Sequence, residues 1–516
     1  MGRSKAQSSS IKFFIGRSAW IGAACAIVCW IGTFGILSTP RAASADTSDT
    51  SANAATAAGQ TPDPLASLQD VSFTPAVSSA DDPMATMDEA AQTASSQTPP
   101  QSSGILPIPD YTGDIWTRSY LLGDLGGLRT QLADDGVQFH VSYTQYFQSV
   151  VSGGLSNSND YGGLLDYAGS LDLDRMGLVP GGLVTFLAQT RYGTTVNGDT
   201  GQILPVNTAG FFPLTSPLNQ TIPIAIEDLY YTQFFCPYFA AFAGKFDTLN
   251  GDPNAFASGR GETQFMNSNF VFNSVLALRF PYSTLGAGVI LLPIKNIKVQ
   301  SQVFQTQDSS TTSGFENFNA GGTWVTEVDS QYRIFNLLGG MNLGGLYSFD
   351  QNFFRIGGDF IFKPGVGLIP PTSTDTWALY WSGWQYLYEA QPNNTPISAI
   401  NGPPSDQGIG LFARAGLADD TTNPVQYSLS GGVGGKGMIP TRDNDTFGVG
   451  YFYNQLQANR LTSFLGVANY SQGFEAYYNV AVTPATHLTF DVQADNSVWP
   501  NTSTAVILGV RLNLNF

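Results

Sequence analysis

The amino-acid sequence predicts an all-β protein: a transmembrane antiparallel up-and-down β-barrel of about 16 strands (about 18 also fit the length), preceded by a short helical segment. Three observations predict it. From Val137 onward, apolar and polar residues alternate with period two. The runs reach about ten residues or more, long enough to cross a bilayer at a tilt. Charged residues are only 12 % of the chain and mean hydropathy is -0.03, while Gly counts 56 and aromatics 13 %. That composition suits a sheet with one apolar face and one polar face. The last run alternates up to its end. Val506, Leu508, Val510, Leu512, Leu514 and Phe516 share one face, and Arg511, Asn513 and Asn515 share the other.

The elements follow in chain order. Residues 1–45 read as a cleaved signal peptide: Arg3, Lys5, Lys12 and Arg17 precede the apolar run Ala19 to Leu37, and Ala43-Ser44-Ala45 forms a small-residue cleavage site. Cys25 and Cys29 fall inside it, so the mature chain keeps Cys236 alone and forms no internal disulfide. Residues 46–103 carry eight acidic residues and no Lys or Arg in an Ala/Ser/Thr/Pro-rich background. Such a segment cannot bury enough surface to offset its ordering entropy, so a disordered tether is expected. In 104–136, Trp116, Leu121, Leu122, Leu125, Leu128 and Leu132 recur at helical spacing, which predicts one or two short helices at the barrel mouth.

The barrel itself is expected over 137–516. Val137, Phe139, Val141 and Tyr143 oppose Gln138, His140, Ser142 and Thr144 in the first strand. Leu488, Phe490, Val492 and Ala494 oppose His487, Thr489, Asp491 and Gln493 near the end. Longer loops are expected near 194–223, 250–268, 307–322 and 391–407; 268–295 reads equally as loop, helix or strand pair.

Several motifs resemble one family. Leu121-Leu122-Gly123-Asp124-Leu125-Gly126-Gly127-Leu128-Arg129 resembles the segment before the barrel in OprB-type carbohydrate-selective porins, which usually have Trp at the place of Leu125. Gly244-Lys245-Phe246-Asp247, the stretch Phe412 to Asp419, Gly434 to Pro440, Arg442 to Asp445, Glu475, Thr483-Pro484 and Asp491-Val492-Gln493 follow in the family's order. The resemblance implies a 16-stranded barrel that passes sugars by facilitated diffusion, with Arg and acidic residues at its eyelet. The terminal Phe516 resembles the assembly signal read by the barrel insertion machinery.

Charges within strands should point inward, because lipid-facing charges are costly. That reasoning gives a pore-lining set: Arg191, Lys245, Asp247, Glu327, Asp329, Arg333, Arg355, Asp359, Arg414, Glu475 and Arg511, with Lys298 and Lys363 beside them. Trp377, Trp381 and Trp384 read either as an interfacial girdle or as a stacking surface for sugar rings; Trp324 reads as lipid-facing. No catalytic residue, cofactor or metal site is expected: His140 and His487 are the only histidines. The net charge of -17 argues against a nucleic-acid surface.

The sequence therefore points to the outer membrane of a Gram-negative bacterium, with sugars as permeating solutes. Membrane lipid and lipopolysaccharide would surround the barrel. Monomer and homo-oligomer both fit. Two other functions fit the same fold: a general or ion-biased porin, and a non-conducting structural barrel tethered through 46–103.

Overall fold

The computed structural model describes residues 104–211, 223–250, 252–317, 321–358, 361–365, 367–391, 397–399, 406–458 and 460–516. The signal peptide and tether expected over 1–103 lie outside them. Twenty strands occur among the described residues. The first nine are β1 (Val137–Ser152), β2 (Asn159–Asp172), β3 (Gly182–Gly193), β4 (Ala225–Cys236), β5 (Phe239–Asp247), β6 (Ser283–Ile294), β7 (Ile297–Gln305), β8 (Gly322–Ile334) and β9 (Leu337–Phe349). Two small ribbons follow, β10 (Phe353–Phe354) with β13 (Thr372–Ser373) and β11 (Ile361–Lys363) with β12 (Gly367–Ile369). The last seven are β14 (Thr376–Glu389), β15 (Gly408–Ala418), β16 (Val425–Lys436), β17 (Thr446–Leu456), β18 (Tyr470–Thr483), β19 (Thr486–Asp495) and β20 (Ala505–Asn515).

Strands β1–β9 and β14–β20 close into one antiparallel barrel of 16, each paired with its neighbour in sequence. The seam is β1 against β20, with Ser142 opposite Asn515 and Tyr146 opposite Arg511. Closure pairs every strand on both sides, which a bilayer demands of any spanning sheet. Alternation sets the faces. On β20, Ala505, Ile507, Arg511 and Asn513 are buried inside, while Leu508 and Val510 stand exposed toward lipid.

The two rims differ. One carries four two-residue turns, at 237–238, 295–296, 335–336 and 484–485. Phe335 and Asn336 both take positive φ, as the tightest hairpin turns require. The opposite rim carries the long connections 194–224, 248–282, 306–321 and 350–375, while one long connection, 390–407, lies on the same rim as the two-residue turns. Short turns mark the periplasmic rim and long loops the outer one. The sequence reading foresaw three of those four loops and missed 350–375.

Among the described residues ahead of the barrel lies one helix, α1 (Leu128–Asp134), shorter than the leucine spacing predicts. Leu125, Gly126 and Gly127 take positive φ and stop a longer helix from forming. The packed residues there are Tyr111, Tyr120 and Ala133, while Trp116, Leu122, Leu125 and Leu128 stay exposed.

Candidate functional site

The connection 248–282 leaves the rim and enters the barrel. Phe265, Met266, Asn267, Ser268, Phe270 and Val271 are all fully buried there. Its middle is a single helical turn, Ser268–Val271, capped by the Asn267 side chain. In the ring, β17 and β18 stand eight places from β5 and β6. Contacts from this loop to Glu475 on β18 therefore span the lumen.

Inner-wall polar groups hold the loop by its backbone. Arg511 donates from Nη1 to Gly261 O at 2.7 Å and from Nη2 to Gln264 O at 2.8 Å. Glu475 accepts from Met266 N at 2.5 Å and Asn267 N at 2.9 Å. Arg414 forks onto Asp252, Nε to Oδ2 at 2.7 Å and Nη2 to Oδ1 at 2.5 Å, and donates to Phe270 O at 2.8 Å and to Ala257 O. Charge-assisted and bidentate bonds of this kind are the strong ones. Asn267 reaches Asp495 at 2.9 Å, and Trp384 donates its indole N–H to Pro253 O at 2.9 Å.

Apolar seats complement these bonds. Phe256, Phe265 and Phe270 form a buried cluster with Trp384, Phe412, Phe452 and Tyr477 of the wall. Two glycines make the room. A Cβ on Gly450 would lie 2.6 Å from the Phe270 ring, and one on Gly448 would lie 2.7 Å from the Phe265 ring.

Between the loop and the wall of β5, β7, β8 and β14 a cleft remains. Asp247, Thr248, Asp252, Asn273, Gln302, Glu327 and Tyr380 are its polar lining, with Phe246, Phe272 and Phe280 as its flat apolar one. Among the described residues none of its lining is Lys or Arg. Asp252 is neutralised by Arg414 and Asp247 by Arg260, 3.3 Å away. Glu327 has the Tyr380 hydroxyl at 2.8 Å and no ion pair among the described residues. Its inward neighbour Asp329 pairs with Lys298 directly opposite, at 2.9 Å, and accepts from Asn342 at 2.6 Å.

The remaining sequence-derived residues disperse. Arg191 is buried on the inner face of β3, its guanidinium 5.9 Å from the Tyr282 ring centre. Arg333 meets Glu389 at 3.3 Å, near the periplasmic rim. Lys245 departs from the expected lumen set. It stands opposite the outward Leu229, and its ammonium caps Ser309 O at 2.7 Å and Thr312 O at 2.9 Å in the β7–β8 connection. Arg355 and Lys363 are exposed in the β9–β14 connection, outside the barrel wall. The alternation around them belongs to the small ribbons, which sequence periodicity cannot tell from barrel strands. Asp359 lies outside the described residues. The tryptophans split: Trp377 and Trp381 share the outward face of β14 with Leu379, and Trp324 is outward too, whereas Trp384 is buried inside. Sequence reasoning missed Asp252, Asn267 and Asn273, because 268–295 read equally as loop, helix or strand pair and 250–268 as a longer loop. Its signal was Phe256 and Phe265, an unusual load of large apolar residues for a solvated connection.

A family model described as carbohydrate-selective porin, OprB family, matches residues 156–516. The chain belongs to that family. The match starts in the β1–β2 connection, so the Leu121 to Arg129 resemblance lies ahead of it. The high-pH structure of Pseudomonas putida OprB is similar, with a TM-score of 0.65 and 18 % identity, over 78 % of this chain and 99 % of that one. That likeness supports the fold. Its low-pH structure scores 0.48 at 15 % identity, over 78 % and 99 %. Pseudomonas aeruginosa OccK8 (OprE) scores 0.39 at 9 % identity, over 74 % and 97 %. No curated protein matches the sequence. As an OprB-family porin, the chain is an outer-membrane channel of a Gram-negative bacterium that serves carbohydrates.

Proposed function

We propose that carbohydrates cross this barrel by facilitated diffusion through the cleft between the inserted loop and the β7–β8–β14 wall, with no bond made or broken. The observation that carries this reading is the cleft's lining. Asn273, Gln302, Tyr380 and Glu327 offer donors and acceptors suited to hydroxyls, beside the flat faces of Phe272 and Phe280. Weak, replaceable hydrogen bonds let a solute enter and leave. Arg414, Glu475 and Arg511 are positioning residues in this reading: they hold the loop rather than touch the solute. Trp377 and Trp381 serve the lipid interface, and Trp384 seats the loop.

Glu327 adds a preference. An anionic cleft without a lining cation disfavours anionic solutes and favours neutral sugars, amino sugars and small cations. The purified protein in liposomes should swell in glucose and more slowly in glucuronate, and planar bilayers under a salt gradient should show a cation-signed reversal potential. Absence of both swelling and conductance from folded protein would overturn the channel reading. Equal swelling in the two sugars, with an anion-signed potential, would overturn the role of Glu327.

A further inference from the structure

Arg129 lies outside the barrel and outside the cleft, yet only 2 % of it is exposed. Its guanidinium carbon sits 4.7 Å from the Tyr111 ring centre, 4.5 Å from Tyr120 and 5.2 Å from Phe139. Rings around a guanidinium hold it by their π faces. From this box, Nη2 donates to Phe139 O of β1 and to Phe516 O just beyond β20, both at 2.9 Å. Nη1 donates to Gly123 O at 3.3 Å. Leu121 N donates to Asn515 O at 2.8 Å, so the same segment takes a second acceptor at the end of β20. The other end of the segment is anchored separately: Asp172 at the end of β2 accepts from Ile105 N at 2.6 Å and Leu106 N at 2.9 Å. One segment thus bridges β2, β1 and β20 across the barrel seam.

The end of β20 forms one side of the seam with β1. Until β1 pairs with it, its backbone groups are open to any β-edge partner. We propose that residues 104–136 form a latch for the barrel seam: the Arg129 box and Leu121 N–H take the acceptors at Asn515 and Phe516, and so displace the insertion machinery that pairs with this edge during assembly. The latch works after β1 and β20 meet, because Arg129 needs acceptors from both strands. It thereby ties release of the partner to correct closure.

The test uses the full chain expressed in a Gram-negative cell, with a photo-crosslinking residue in place of Leu514 and a pulse label. In the parent chain the crosslink to the insertion machinery decays as heat-resistant barrel accumulates. With Arg129→Ala that decay should slow about tenfold, the scale of a lost charge-assisted hydrogen bond. Arg129→Lys should restore part of it. Tyr120→Ala opens the box without removing the guanidinium and should slow release as well, which keeps the test valid should Arg129→Ala be degraded. Release of Arg129→Ala or Tyr120→Ala barrels at the parent rate would overturn the proposal. Easier melting of the purified variant barrels without longer partner dwell would overturn it too, since that is the mark of a purely structural contact.

Discussion

Arg511 shows how an inward charge finds its role. Period-two alternation places it on the polar face of β20, and that alone suggests a wall residue meeting water. In the folded barrel it has no exposure, because both its Nη atoms reach carbonyls of the inserted loop. Removing it strands those carbonyls without a donor. Arg511→Ala should cost about 3 kcal/mol locally and free the 261–264 stretch to move. Single-channel recordings should show larger, noisier conductance; unchanged traces would count against the anchoring role. Glu327 behaves differently, since its charge is left to the cleft. Glu327→Gln should raise the glucuronate-to-glucose swelling ratio about fivefold, roughly the 1 kcal/mol of one charge met at 4 Å in water. It should lower cation preference in the same preparation while leaving heat resistance unchanged.

At the scale of elements, the loop 248–282 and its wall form one fitted unit. Aromatic knobs at Phe265 and Phe270 press into flat places that Gly448 and Gly450 leave on β17. A methyl group at Gly450 would have to share space with the Phe270 ring, and overfilling a packed site costs about 1–3 kcal/mol. Gly450→Ala should therefore shift the heat-modification temperature down and alter conductance together. A change in only the first would mean that the ring relaxes without moving the loop. The outward face of β14 is a separate matter. Trp377 and Trp381 lie on the outward face, opposite to the one that meets the loop, so Trp381→Leu should leave sugar swelling within experimental error of the parent.

For the whole molecule, closure is what makes the rest work. Sixteen paired strands leave no edge in the hydrocarbon, and the long outer connections supply the material that narrows the lumen. If solutes pass through the proposed cleft, their size should limit passage as well as their chemistry. Swelling rates should fall from glucose to a disaccharide to a trisaccharide, and a flat profile across the three would argue for a wider general pore than this inserted loop allows.

How much of this was legible depends on whether a property is local. Alternation is local: each residue's face follows from its neighbours, so the strand span from Val137, the lumen side of Glu327, Asp329, Arg333, Arg414, Glu475 and Arg511, and the lipid side of Trp324 could all be read along the chain. Family motifs added strand number and solute class. Lys245 escaped that reasoning because a covering loop, not strand parity, disposes of its charge. The partners of Glu475 and Arg414 lie 162 to 209 positions away in the chain, at Asp252, Met266 and Asn267. No pattern of spacing encodes such a meeting. Sequence by itself determined the barrel and which charges turn inward. Only the tertiary structure decided which of those charges hold the loop and which line the cleft, because that depends on where a connection of 35 residues comes to rest inside a closed sheet.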